Sequence, residues 1–344
     1  MWNPFSRTLC CFACFAALAG CKRQEDKHSA FHAQATTRLK QHLAATVNDW
    51  VAASVALHDA APVGNEHGWA GEGDALARMK KAWTEARRAY ELVEGALAPL
   101  FPESDVATDS RYEDFLVRSG GAIDSNMFDD VGVVGMHAIE RILWADAIAP
   151  SVLAYEQTLP GFVKAAQPAT MQEAADFKAK LVAKLVADTQ ALRTQLQPLQ
   201  PDIAFVYRGL LDLVREQVEK VDKMASGEEE SRYAQTTMAD LSANLEGTWA
   251  AYNILAPWLR DEDPASHAQI TEAFAALQST YAEYKTMPMP PPGWSSLDPS
   301  AAALATPFGK LFSTTRQAAD PKAPGSLVAL LRAAAPKLGL PEMP

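Results

Sequence analysis

The residues with the most chemical content lie in Gly135-Met136-His137-Ala138-Ile139-Glu140-Arg141-Ile142-Leu143-Trp144. On a helix, His137 and Glu140 stand one turn apart and share a face. An imidazole and a carboxylate so placed can ligate a metal ion, but two ligands do not make a site. The same pair also fits a core histidine hydrogen-bonded to a glutamate. Gly135 leaves room for a close neighbour, while Ile139, Ile142 and Leu143 supply packing surface. A second stretch, Arg87-x-x-Tyr90-Glu91-x-x-Glu94, repeats at three and four and forms one stripe, with Glu91 and Glu94 as a carboxylate pair. A solvated helix face is the alternative, and the nearby Trp83 and Tyr90 argue against full solvation. A third stretch, Asp109-Ser110-Arg111-Tyr112-Glu113-Asp114, offers Asp109 either as a ligand or as a helix N-cap.

Helices must position these groups, because apolar residues recur at three and four throughout and no stretch alternates like a strand. The spacing predicts helices over 29–58, 75–100, 109–118, 131–147, 172–197, 203–225, 228–259 and 265–285. Another starts at Pro150, and short ones follow Ser300 and Gly325. Phe101-Pro102, Pro198 to Pro201, Ser226-Gly227 and the run Met287-Pro-Met-Pro-Pro-Pro-Gly293 break the pattern. The expected fold is all-α, two four-helix-type bundles dividing somewhere in 168–200, assigned as 29–168 and 169–344.

The amino terminus reads as a leader. Arg7 precedes an apolar run, Leu9 to Leu18, too short for the roughly 30 Å of a bilayer core but suited to a signal sequence. The run ends in Leu18-Ala19-Gly20-Cys21, which resembles the bacterial lipobox. Residues 1–21 are therefore expected to be a lipoprotein signal, with lipidation on Cys21 and residues 22–28 as a tether. Cys10, Cys11, Cys14 and Cys21 are the only cysteines, so the body beyond them has no thiol or disulfide. It must be stable by packing alone. The net charge of −11, about −12 without Arg7, argues against a nucleic-acid partner and permits a cation-binding role.

Taken together, Arg87-x-x-Tyr90-Glu91-x-x-Glu94, Asp109-x-Arg111 and Gly135-x-His137-x-x-Glu140 with Leu143-Trp144 resemble the imelysin family. The resemblance is greatest to its branch of periplasmic iron-uptake proteins of the EfeO/EfeM type. The later runs Gly227-Glu228-Glu229-Glu230-Ser231-Arg232-Tyr233, Asn244-Leu245-Glu246-Gly247 and Pro257-Trp258-Leu259 extend it over most of the body. The resemblance implies an imelysin-like helical fold and a metal site of His137, Glu140, Glu91, Glu94 and Asp109. Arg87 and Tyr90 would hold carboxylates in place. Asp124, Asp129 and Asp130 compete with Asp109 for its role. Such an oxygen-rich set favours iron and also suits calcium, manganese, copper or zinc. Implied partners are a metal ion, the membrane through Cys21, and an iron permease or peroxidase. The location is the periplasmic face of the envelope, and Lys22 after the cysteine leans toward the outer membrane. An imelysin-like metallopeptidase is the alternative, although neither H-E-x-x-H nor H-x-x-E-H occurs. A polysaccharide- or solute-binding or purely structural lipoprotein is a third reading.

Overall fold

A computed structural model describes the backbone of residues 9–344 and the side chains from Lys27 onward; residues 1–8 and the Cys21 side chain, with its lipidation, lie outside the described residues. Among the described residues all regular structure is helical, apart from one isolated bridge between Asn65 and Gly68. The first half contains α1 (Leu9–Ala60), α2 (Gly73–Glu91), the one-turn α3 (Glu94–Leu97), α4 (Pro102–Asp109), α5 (Tyr112–Arg118), α6 (Met136–Leu143) and α7 (Pro150–Glu156). α8 (Met171–Asp176) passes through a π-helical stretch, Phe177–Val182, into α9 (Ala183–Leu196). The second half contains α10 (Ile203–Lys223), α11 (Thr237–Glu262), α12 (Pro264–Ala282), α13 (Ala301–Leu304), α14 (Pro307–Ala319) and α15 (Leu327–Ala334). Local chemistry starts several of them. Thr170 and Glu173 form a reciprocal capping box on α8, and Asp263 caps α12 with Pro264 in its first turn.

Apolar stripes bury against one another in three places. One core gathers the end of α1 with α2, α6 and α8–α9 around Trp83, Met136, Ile139, Phe177 and Leu181. A second gathers α10, α11, α12, α14 and α15 around Tyr207, Leu241, Tyr252, Phe274 and Phe308. A third, with Val47, Trp50, Tyr90, Leu97, Leu192 and Val206, joins the two. Because Phe177, Leu181 and Leu185 face the first core, α8 and α9 pack with the amino-terminal helices. Residues 22–28, expected as a tether, are helical backbone within α1.

The predicted helices break where the site forms. The long helix over 75–100 is interrupted at Leu92-Val93, the 109–118 helix at Ser110-Arg111, and α6 begins only at Met136. Residues 228–236, read as the start of a helix, are turns whose side chains Glu229, Glu230, Ser231 and Arg232 are buried. Close backbone approaches hold the break at 92–93 in place. Gly247 of α11 lies against the Leu92 carbonyl, and Gly209 of α10 against that of Gly95, where any Cβ would collide.

Candidate metal centre

His137 stands in the first turn of α6. Its position depends on Gly135, which caps the helix with φ +92°, a conformation that disfavours any side chain. A Cβ at Gly135 would fall 2.5 Å from the carbonyl oxygen of Thr108. The start of α6 therefore sits directly on the end of α4 and brings His137 to Asp109. The indole of Trp83 fixes α6 from the other side by donating to the Met136 carbonyl at 2.9 Å.

The His137 ring is oriented by Glu140. Nδ1–H donates to Glu140 Oε2 at 2.8 Å, and a carboxylate can only accept, so the neutral ring carries its lone pair on Nε2. Glu140 Oε1 accepts the backbone N–H groups of Tyr233 (3.0 Å) and Ala234 (2.8 Å). Glu140 is thus engaged on both oxygens and anchors the 228–236 turns to α6. His137 Nε2 is buried and has no hydrogen-bond partner. It lies 3.3 Å from Asp109 Oδ1 and 4.0 Å from Glu230 Oε1. One ligand atom from each of Asp109, His137 and Glu230 falls within 4.8 Å of the others. Asp109 is 20% exposed while Glu230 and His137 are almost wholly buried, so Asp109 is the edge of the cluster nearest solvent.

Three cations are built into the same cluster. Arg87 pairs with Asp109, Glu91 and Glu230, the last at 2.8 Å. Arg111 takes the other oxygen of Glu230 at 2.5 Å. Lys220, buried on α10, reaches Glu94 at 3.3 Å and donates to Asn244 Oδ1 at 3.1 Å. Asn244 Nδ2 in turn donates to Glu91 Oε2 (2.5 Å) and Glu94 Oε2 (2.7 Å). Tyr90 donates to Asp105 at 2.6 Å.

The protonation equilibria follow from this crowding. Burial opposes charge on Glu230, yet Arg111, Lys220 and Arg87 pull its carboxyl down to about 2. Asp109 is likewise held well below the usual carboxylate range, burial being outweighed by Arg87 and His137. Burial pushes Glu91 well up despite Arg87 and Lys220, and lifts Asp240 to about 6 and Asp105 to about 7. For His137, burial and Arg87 favour the neutral ring, but Asp109 and Glu140 prevail and its value is raised.

Of the residues predicted from sequence, the fold brings together all five acids and bases, Arg87 and Tyr90, but sorts them. Asp109 and His137 face each other. Glu140 stands behind His137, and Glu91 and Glu94 stand behind Arg87 on the Lys220–Asn244 side. Asp124 instead accepts from the backbone N–H groups of Asn126 and Val133, and Asp129 from the Val131 N–H and the Asn126 side-chain amide. Glu230 is the ligand candidate that the motif reading missed, together with Lys220, Asp240 and Asn244. It lies in the charged run 227–233, whose composition of three glutamates, one arginine and one tyrosine gives no sign of burial by itself.

An all-helical two-bundle body with a buried histidine–carboxylate cluster between its halves defines a class, and comparison with known proteins agrees. The imelysin family, Peptidase M75, matches residues 30–323, and the chain belongs to that family. A crystal structure of an imelysin-like protein from Psychrobacter arcticum 273-4 superposes with a TM-score of 0.59 at 15% identity, over 90% of this chain and 96% of that one, a likeness of fold. Among relatives, the iron uptake system component EfeO of Yersinia pseudotuberculosis serotype I is 28% identical over 211 residues, 61% of this chain and 46% of that protein. EfeO of Escherichia coli O1:K1 is 24% identical over 252 residues, 73% of this chain and 54% of that protein. The chain spans about half the length of these curated relatives. Among the described residues, no helix is long and apolar enough to cross a membrane.

Proposed function

We propose that the chain holds iron as cargo between Asp109, His137 and Glu230 and serves an iron uptake system of the bacterial envelope. The observation that carries this is His137 Nε2, a buried ring nitrogen without a hydrogen-bond partner beside carboxylate oxygens of Asp109 and Glu230. One imidazole and two carboxylates suit a hard-to-borderline cation. The EfeO relatives supply the transport context. On this reading Cys21 carries the lipid, the body faces the periplasm, and an iron permease receives the cargo. The family's description as peptidases is the competing reading. Glu140, the carboxylate next to the histidine, already accepts two backbone N–H groups and the His137 N–H, which leaves it poorly suited to take a proton from water.

Calorimetric titration of the chelator-treated chain with iron, beside His137→Ala, tests the proposal. The expected result is one ion per chain with affinity lowered on the order of 10–100-fold or more in the variant. Equal binding by both proteins would remove the site.

A further inference from the structure

Arg87 holds one oxygen each of Asp109 and Glu230, two of the three candidate ligands. Its Nη1 pairs with Asp109 Oδ1, and its Nη2 donates to Glu230 Oε1 at 2.8 Å. These are the carboxylate oxygens that stand 3.3 and 4.0 Å from His137 Nε2, so a metal ion held by Asp109, His137 and Glu230 would compete with Arg87 for them. A guanidinium does not lose its proton in a protein, so it cannot yield by becoming neutral. Two cations sharing the same pair of oxygens in a cluster this dry repel each other strongly.

The guanidinium has a second set of acceptors behind it. Nη2 also faces Glu91 Oε1, its partner one turn on, and Nε faces Asp240 Oδ1 at 4.0 Å. Neither contact has hydrogen-bond geometry, because Arg87 Nε and Glu91 Oε1 are both buried without a hydrogen-bond partner. The two acceptors in front are therefore hydrogen-bonded, whereas behind the guanidinium Glu91 Oε1 is paired with it without a hydrogen bond and Asp240 Oδ1 stands 4.0 Å away, a side-chain rotation from contact. The other cations are held by hydrogen bonds to other atoms. Arg111 uses the opposite oxygen of Glu230, and Lys220 donates to Glu94 and Asn244 while standing 3.7 Å from Glu230 Oε1.

Resting on the metal-holding reading above, we propose that Arg87 is an internal counter-ion that competes with the cargo for Asp109 and Glu230. When the ion is loaded, the guanidinium withdraws onto Glu91 and Asp240. Those two carboxylates thus receive the arginine and not the metal, and pushing Arg87 forward again expels the ion. This reverses the supporting role that the sequence suggests for Arg87.

The test titrates ferrous iron, without oxygen, into the chelator-treated full chain and its variants. Arg87→Gln is expected to bind on the order of tenfold more tightly than the unmodified chain. Asp240→Asn is expected to bind several-fold more weakly, and to have no effect when combined with Arg87→Gln. Weaker binding by Arg87→Gln, or the same Asp240→Asn effect in both backgrounds, would overturn the proposal. Should Arg87→Gln fail to fold, Asp240→Asn alone decides, since unchanged affinity there overturns it too. His137→Ala separates the two levels. Uptake that is no greater in the unmodified chain than in His137→Ala removes the site and this proposal together. Uptake that needs His137 but weakens in Arg87→Gln removes the Arg87 proposal alone.

Discussion

The tautomer of a single ring decides what His137 can do. Because Glu140 accepts from Nδ1, the ligand-competent lone pair is on Nε2. Glu140→Gln keeps an oxygen for the Tyr233 and Ala234 N–H groups but offers an N–H where Oε2 stood. His137 Nδ1 must then accept, Nε2 becomes protonated, and the ring stops being a ligand. Iron affinity is expected to fall on the order of 10–100-fold with little change in thermal midpoint. Ring nitrogen chemical shifts would report the exchanged tautomer, and an unaltered spectrum would refute it. The raised value of His137 sets a pH dependence as well. The fold favours the charged ring, so this group's contribution to stability is full below its ordinary value and is lost as pH rises through the raised one. Metal binding has the opposite sign, since the ion must displace that proton. Affinity is expected to climb across the same range with proton uptake by the buffer, measurable by calorimetry in two buffers of different ionisation enthalpy. At this scale the sequence was informative where ligands are neighbours. His137 and Glu140 are legible because three residues on a helix fix their relation. Their division of labour was not, because the groups that occupy Glu140 are backbone N–H groups from a distant turn.

At the scale of elements, glycines set the spacing between helices. Gly135→Ala combines a strained φ with a collision against the Thr108 carbonyl and is expected to cost about 1–3 kcal/mol or more. It should also part His137 from Asp109, so iron binding should fall with stability. Gly73, at the start of α2, has open space around it, and Gly73→Ala is expected to gain about 0.4–1 kcal/mol. Urea unfolding of the pair separates local strain from a general intolerance of substitution; similar midpoints would contradict the account. The helices themselves were readable from periodicity, including α10, α12 and the start at Pro150. Their interruptions were not. Leu92-Val93 lies inside an unbroken apolar pattern, and what breaks it is the approach of α11 at Gly247. The stretch 228–236 has the composition of a solvated helix, and only burial between bundles turns its charges inward.

Across the whole molecule, the charged cluster lies between the two halves. Glu91 and Glu94 come from the amino-terminal bundle, and Lys220, Asp240 and Asn244 from the carboxy-terminal one. Burial works against the Lys220 charge, but Glu230, Glu94 and Glu91 hold its value well above the ordinary lysine range. Lys220→Met would remove the cation paired with Glu94 and leave Glu91 and Glu230 to the arginines alone. It is expected to cost about 3–5 kcal/mol, seen as a lower urea midpoint. A shift below about 1 kcal/mol would mean that the cluster does not hold the halves together.

The proposed ligands are also ordered along the chain: Asp109, then His137, and Glu230 only after α7, α8, α9 and α10 have been made. A growing or partly folded chain can present the first two but not the third. On the proposed site, chelation would wait until the 228–236 turns dock beside α4 and α6, so a bound ion would stabilise only molecules that have made that contact.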